Sequence, residues 1–131
     1  MKRLAKLLIV GTMLLLAGCS SNGSRSIAKH TSLTVANNIQ VGKTTTQNVM
    51  AIYGYPLTVQ EIGGVLVWRY DYVRWKPKAT NFIPIVDLFA WGAIGTEKVL
   101  EVHFKNNVVS EYAFRMYRLN SERGNVYTSP Y

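Results

Sequence analysis

Apolar and polar residues alternate along three stretches of the chain, which is the pattern of β-strands with one buried and one exposed face. Gly63–Gly64 favours a tight turn between a strand-like run over 58–62 and the first of these stretches, and Asn106–Asn107 favours a second turn. We therefore predict an antiparallel meander with one face in the core. The alternating stretches are 65–72, 100–105 and 108–118.

A short amphipathic helix is predicted before the meander, between residues 44 and 53. Thr44 and Gln47 fit a capping box, in which the threonine hydroxyl and the glutamine amide pair with the free N–H groups of the first turn. Apolar residues then recur at helical spacing, and Gly54 and Pro56 end the helix. A helix of this length is stable only when it packs on a larger element, here the sheet.

The start of the chain has the architecture of a secretory signal, with basic residues at 2, 3 and 6 followed by an apolar run over 7–17. Leu16-Ala17-Gly18-Cys19 resembles the bacterial lipobox. This resemblance implies cleavage before Cys19, acylation of Cys19 and stable attachment to a membrane. Ser20 stands where an aspartate would retain a lipoprotein in the inner membrane, so the resemblance implies the periplasmic face of the outer membrane.

The sequence therefore divides into four predicted parts. Residues 1–18 are a lipoprotein signal peptide, 19–34 a lipidated flexible tether, 35–119 a single folded domain and 120–131 a loose tail. The tether is predicted from its small polar residues and the tail from its polar composition. The mature chain is long enough for one domain with a modest core.

The charge of the chain favours anionic partners. The formal net charge is +8, and removal of the leader leaves 12 Lys and Arg against 7 Asp and Glu, a net charge of +5. Lipid head groups and acidic protein surfaces fit this excess. Nucleic acid fits it chemically too, but an exported lipoprotein rarely meets nucleic acid, so no nucleic-acid partner is predicted.

The chemistry-bearing residues predict a protein without catalytic activity. A single cysteine excludes an intramolecular disulfide, and no Cys/His group has metal-ligand spacing. The sequence contains no nucleophile-elbow, Walker or zinc-protease motif, and its few carboxylates suggest no acid/base pair. We therefore predict that the chain is not an enzyme and that it uses no metal and no cofactor.

Residues between 39 and 70 form a spaced signature: Ile39, Val41, Gly42, Thr44, Val49, Gly54, Pro56, Trp68 and Tyr70. This signature resembles that of the SmpA/OmlA family, the BamE-like lipoproteins of the outer membrane. Lys43, Asn48 and Tyr53 stand where the family commonly has Met, Gln and Leu. The resemblance implies an α+β fold, in which two short N-terminal helices pack on a three-stranded antiparallel β-sheet (ααβββ).

One segment departs from the family pattern, an apolar insertion over 82–95 between the first and second main strands. It contains one charged residue, Asp87, and is too short to cross a bilayer. Three interpretations stay open: additional core, a loop that binds a partner protein, or a loop that enters the lipid leaflet. In the third, Trp75 and Trp91 would lie among the head groups, near the cations that precede the insertion.

The predicted function is a non-catalytic outer-membrane lipoprotein. Such a protein would support outer-membrane protein assembly or envelope integrity by binding envelope proteins, including the β-barrel assembly machinery, and anionic lipid. The alternative is a structural lipoprotein of a secretion or conjugation apparatus, or a stress-related envelope lipoprotein with the same fold. The predicted site residues are Cys19 for lipid attachment and, for partner binding, Lys43, Thr44, Trp68, Tyr70, Phe82, Phe89 and Trp91.

Overall fold

The computed structural model describes residues 21–78, 92–123 and 125–131. Long strands dominate these ranges, and two short helices precede most of them. The elements are β1 (Ser21–Gly23), a 3-10 helix (Arg25–Ile27), α1 (Ser32–Asn38), α2 (Thr46–Tyr53), β2 (Thr58–Ile62), β3 (Val65–Pro77), β4 (Gly92–Lys105), β5 (Val108–Glu122) and β6 (Asn125–Pro130).

The strands form one antiparallel sheet, and the prediction of a three-stranded ααβββ fold is wrong. Six strands occupy five positions, in the order β1-β3-β4-β5-β6, and β2 shares the first position with β1. β1 pairs with 72–74 and β2 pairs with 65–69, so the two short strands follow one another along the same edge of β3. Two helices precede β2 as predicted, and the difference lies in the size of the sheet.

The first additional strand comes from the predicted flexible tether, whose described part is folded. β1 pairs with β3, and the Ser24 backbone N–H donates to the Asp71 carbonyl oxygen at 2.6 Å. Ile27 is fully buried in the core, and His30 is buried as well. The composition of a small polar segment does not reveal that one apolar side chain and a few backbone hydrogen bonds hold it in place.

The second additional strand comes from the predicted loose tail. β6 returns beside β5 in antiparallel register, after a reversal in which Arg123 has a φ of +49°. Val126 and Tyr127 belong to residue types that favour strands. The backbone hydrogen bonds that hold β6 in place come from the open edge of β5, and the sequence of β6 alone does not reveal them.

The last four residues of the predicted apolar insertion over 82–95 belong to a strand and not to an insertion. Residues 92–95 belong to β4 and pair with both β3 and β5. Gly95 permits this packing, because a Cβ there would lie 2.7 Å from the Arg74 carbonyl oxygen and 2.9 Å from the Trp75 ring. Residues 79–91 lie outside the described residues, so the three interpretations of the insertion stay predictions.

The predicted helix is present as α2, with its start moved by one residue. Thr45 is the N-cap, and its side chain and that of Asn48 pair reciprocally with each other's backbone N–H groups. Thr44 is unavailable as a cap because its hydroxyl accepts a hydrogen bond from the Gln40 backbone N–H at 2.8 Å. Gly54 ends the helix with a φ of +71°, as its position in the sequence predicts.

The helices pack on one face of the sheet and enclose the core. The Tyr53 ring lies against the rings of His30 and Tyr70, at centroid distances of 4.9 and 5.9 Å. Trp68 meets Phe104 edge-on at 4.9 Å. Full burial of one such side chain contributes about 1.5–3 kcal/mol. The core cluster is Ile27, Val35, Ile39, Val49, Tyr53, Trp68, Tyr70, Tyr72, Leu100, Val102, Phe104 and Val109.

The sheet continues beyond the part that the helices cover. In the described ranges, the core cluster takes no residue from the strand ends 73–77, 92–97 and 117–122. These ends are nevertheless fully paired, with Pro77 opposite Ala93 and Gly92 opposite Glu122. We call these three strand ends the sheet extension.

Candidate functional site

Three of the predicted partner-binding residues are structural. Trp68 and Tyr70 belong to the core, and the Tyr70 hydroxyl donates to the Gly54 carbonyl oxygen at 3.0 Å. Thr44 is also buried, and its carbonyl oxygen accepts the Val109 backbone N–H at 2.8 Å. These side chains join the helices to the sheet and do not form an exposed surface.

The other predicted site residues are exposed or undescribed. Lys43 is exposed in the turn between the two helices. Cys19, Phe82, Phe89 and Trp91 lie outside the described residues, so lipid attachment and the role of the insertion stay predictions.

A strip of exposed apolar side chains follows the edge of the sheet beside α2. Tyr55, Leu57 and Val59 are 86, 54 and 57% exposed, and Ile52 near the end of α2 is exposed as well. We call these four residues the edge strip. Large apolar side chains that are exposed together mark interaction sites in soluble domains.

Backbone pairing fixes the edge strip in place. The Leu57 backbone N–H donates to the Arg69 carbonyl oxygen at 2.8 Å, immediately before β2 begins. Val59 lies opposite Trp68 in the register of β2 and β3, so both side chains are on the helix side of the sheet. Trp68 is covered by the helices, whereas Val59 is at the edge and stays exposed.

The edge strip adjoins an open strand edge. β2 pairs with β3 only, among the strands that the structure describes, and all five of its residues are exposed. Alternate residues of an edge strand direct their backbone N–H and C=O groups outward, where an extended segment of another chain can pair with them.

A second surface lies on the sheet extension, on the same face of the sheet as the helices but beyond the part that they cover. A cleft of about 310 Å³ is lined there by Arg74, Lys76, Ile94, Gly95, Thr96, Arg118 and Tyr131. We call it the basic cleft. Its cations follow from strand alternation, since 74 and 76 continue the face of Tyr70 and Tyr72, and Arg118 lies opposite Thr96.

The charges of the basic cleft are arranged around Tyr131. The Arg118 guanidinium carbon lies 4.8 Å from the centroid of the Tyr131 ring, a cation–π contact. Hydrogen bonds of the Tyr131 hydroxyl with Thr96 and with Arg118 hold the pKa of Tyr131 below its usual range. No described residue that lines the cleft is acidic.

The opposite face of the sheet carries charges that pair with one another. Arg69 contacts both carboxylate oxygens of Asp71 at 3.0 Å, and this hydrogen bond raises the pKa of Arg69. His103 Nε2 lies 2.7 Å from a Glu101 carboxylate oxygen, and this contact lowers the pKa of Glu101. Carboxylates on this face thus contact Arg69 and His103, whereas no carboxylate side chain lines the basic cleft in the described residues.

The sequence of β3 contains a signal for part of the basic cleft. Arg74 and Lys76 occupy the positions that continue the apolar face of β3 beyond Tyr72. Charged residues at these positions indicate that the strand extends past the core. Arg118 and Tyr131 join them only through the pairing of β5 with β4 and β6, which the sequence does not specify.

Two further findings concern only the described part of the chain. It contains no helix long and apolar enough to span a membrane. It also contains no group of three or more His, Cys, Asp or Glu side chains that could hold a metal ion. In comparisons with known proteins, no family model, no curated protein and no solved structure matches the chain.

Proposed function

We propose that this chain is a lipid-anchored, non-catalytic binding module of the cell envelope. It is held at the periplasmic face of the outer membrane by acyl chains on Cys19. There it supports outer-membrane protein assembly or envelope integrity by binding another envelope protein. The observation that carries the proposal is the edge strip beside the open edge of β2.

The edge strip and β2 together favour recognition of an extended peptide segment. A partner strand can pair with the outward backbone groups of β2, and its alternate apolar side chains can pack on Leu57 and Val59. Tyr55 offers a large ring with a polar tip, a residue type that is enriched at binding hot spots. The lipobox at 16–19 and the SmpA/OmlA-like signature over 39–70 support the compartment and the class of partner.

Photo-crosslinking in cells tests the binding surface. A photoreactive residue at Leu57 is expected to cross-link to a specific envelope protein, which mass spectrometry then identifies. The matched control is Leu33, which is 71% exposed on α1 and outside the edge strip. Subunits of the β-barrel assembly machinery would support the assembly role, and a component of a secretion or conjugation apparatus would support the alternative. If Leu57 gives no protein adduct beyond those of Leu33, the edge strip is not the binding surface.

A pair of substitutions measures the contribution of the edge strip to binding. Leu57→Ser is expected to weaken the complex by roughly tenfold, because truncation of a well-packed interface side chain costs more than about 1 kcal/mol. Leu33→Ser removes a similar exposed side chain and is expected to leave binding unchanged.

The anchor is tested separately: palmitate labelling of the protein in cells is expected to disappear in Cys19→Ala.

A further inference from the structure

The sheet extension holds cations that the rest of the described chain does not neutralise. Arg74, Lys76 and Arg118 line the basic cleft without an ion pair among the described residues. The nearest carboxylate on the end of β5, Glu122, is already engaged, since it accepts a hydrogen bond from Lys78 Nζ at 2.5 Å. The cleft therefore has charge available for an external anion.

The groups in the basic cleft suit the oxygens of a phosphate diester. Guanidinium groups offer planar pairs of N–H donors that match phosphate oxygens, and an ammonium group adds a point charge. Thr96 supplies a hydroxyl between the two arginines, which stand on β3 and β5. A cleft of about 310 Å³ is of the size that holds one small polar group.

The start of β1 lies beside this cleft, two residues after the proposed anchor. Ser21 in β1 lies opposite Arg74 in β3, at the base of the sheet extension. Cys19 is only two positions earlier, and two residues of extended chain span at most about 7 Å. β1 runs antiparallel to β3, and its first residue, Ser21, is the one nearest to the end of the sheet that carries Lys76.

We propose that the sheet extension rests on the membrane and that the basic cleft binds the phosphate groups of anionic phospholipids. This inference rests on the proposed acylation of Cys19, which brings the leaflet to this end of the domain. The cleft and the anchor then act together to orient the domain. Val59 in β2 is paired with Trp68, which is six residues before Arg74 in β3. Six residues of strand span about 20 Å, so the edge strip is held at about that distance from the head groups, where partners can reach it.

Reconstitution of the lipidated protein into vesicles tests the orientation. A fluorophore is attached at Thr128→Cys, opposite Leu119 within the sheet extension, or at Ser110→Cys near the start of β5, at the other end of the strand. A quencher carried by lipid head groups is expected to quench the first probe more than the second. The difference is expected in vesicles of phosphatidylcholine and phosphatidylglycerol in equal amounts, and to be much smaller in phosphatidylcholine alone.

Charge variants separate the cleft from charge in general. In Arg74→Gln/Arg118→Gln the ratio of docked to undocked domain is expected to fall about 30-fold, since two cations near an anionic surface are lost. Lys43→Gln/Lys105→Gln removes the same charge at the far end and is expected to change nothing. Circular dichroism confirms that each variant is folded.

The outcomes distinguish the anchor from the cleft. Failure of the wild-type protein to remain on neutral vesicles would contradict acylation of Cys19, and with it the proposed function. Retention on both kinds of vesicle with equal quenching at both probes, or equal effects of the two double variants, would overturn the role of the cleft. Quenching at position 128 that persists without phosphatidylglycerol would also overturn it, since the tether alone would then set the orientation.

Discussion

At the scale of single residues, buried polar groups hold the helices to the sheet. The His30 ring is buried against Tyr53, and Nδ1 lies 3.4 Å from the Thr34 hydroxyl. Lys98 Nζ donates to the carbonyl oxygens of Ala28 and His30, at 2.5 and 2.7 Å. A buried imidazole next to cations favours its neutral form, and this makes stability depend on pH.

Acidification is therefore expected to destabilise the fold through His30. Burial first, and then the charges of Lys29 and Lys98, lower the pKa of His30 from its ordinary value of 6.5. The unfolded chain binds a proton near pH 6.5, whereas the folded chain binds it only at lower pH, so stability falls as the pH drops below 6.5. Thermal unfolding of the wild type should show a midpoint that decreases across this range.

The matched variant His30→Phe keeps a ring against Tyr53 and removes the titrating group. Its midpoint should change less with pH between neutrality and about pH 5, a range above the one in which Glu101 titrates, since the pKa of Glu101 is lowered from 4.5. An equal loss of stability in both proteins would show that His30 does not cause the pH dependence.

At the scale of elements, the sequence predicted the helix, the turns and the strands that are marked by residues within the element itself. The helix at 46–53 has a threonine start and a glycine end, and the Asn106–Asn107 turn has two residues that tolerate positive φ, found at +51° and +66°. Strands that contact the core on one face were visible as alternation over 65–72 and 100–105.

The sequence did not predict three parts of the sheet, and the reason is physical. These parts are the sheet extension, β1 and β6. Alternation is visible only where one face is buried, and in the sheet extension Arg74 and Lys76 stand where the helices no longer cover the sheet. β1 and β6 are held by backbone pairing to a neighbouring edge, which leaves little trace in side-chain pattern. The same limit applied to the sites. The Trp-x-Tyr signature marked core residues, and the edge strip is spread over the end of α2, the connection after it and β2.

The capping box of α2 gives a test at this scale. Thr45→Ala removes the two hydrogen bonds of the Thr45 hydroxyl, which accepts from the Asn48 backbone N–H and donates to the Asn48 side-chain oxygen. It is expected to lower the free energy of unfolding by about 1 kcal/mol. Thr45→Ser keeps the hydroxyl and should retain most of the stability. Urea denaturation measures both, and an equal loss in the two variants would mean that the methyl group, and not the cap, is what α2 needs.

At the scale of the whole molecule, the two candidate surfaces lie at different places along β3. The edge strip borders the part of the sheet under the helices, and the basic cleft lies on the sheet extension. β1 links the second of these to the start of the chain, and Gly23 makes that link possible. Its φ is +96°, and a Cβ there would lie 2.0 Å from the Asp71 carbonyl oxygen.

Gly23→Ala is therefore expected to release β1 from the edge of β3. Hydrogen exchange should show loss of protection at the Ser24 amide, which donates to the Asp71 carbonyl oxygen, while core amides of β4 stay protected. Gly42→Ala is the matched control, because Gly42 also has a positive φ, +80°, but open space around the added Cβ. Protection of Ser24 that survives in Gly23→Ala would show that β1 is not held by this close approach.

The start of β1 also fixes how far the protein can reach. With Cys19 in the leaflet as proposed, the two residues from Cys19 to Ser21 span at most about 7 Å, so the domain has almost no freedom to move away from the bilayer. β5 is the longest of the described strands, and its 15 residues span about 50 Å. Under the proposed anchoring, a partner protein must therefore approach to within about 50 Å of the membrane surface before the domain can bind it.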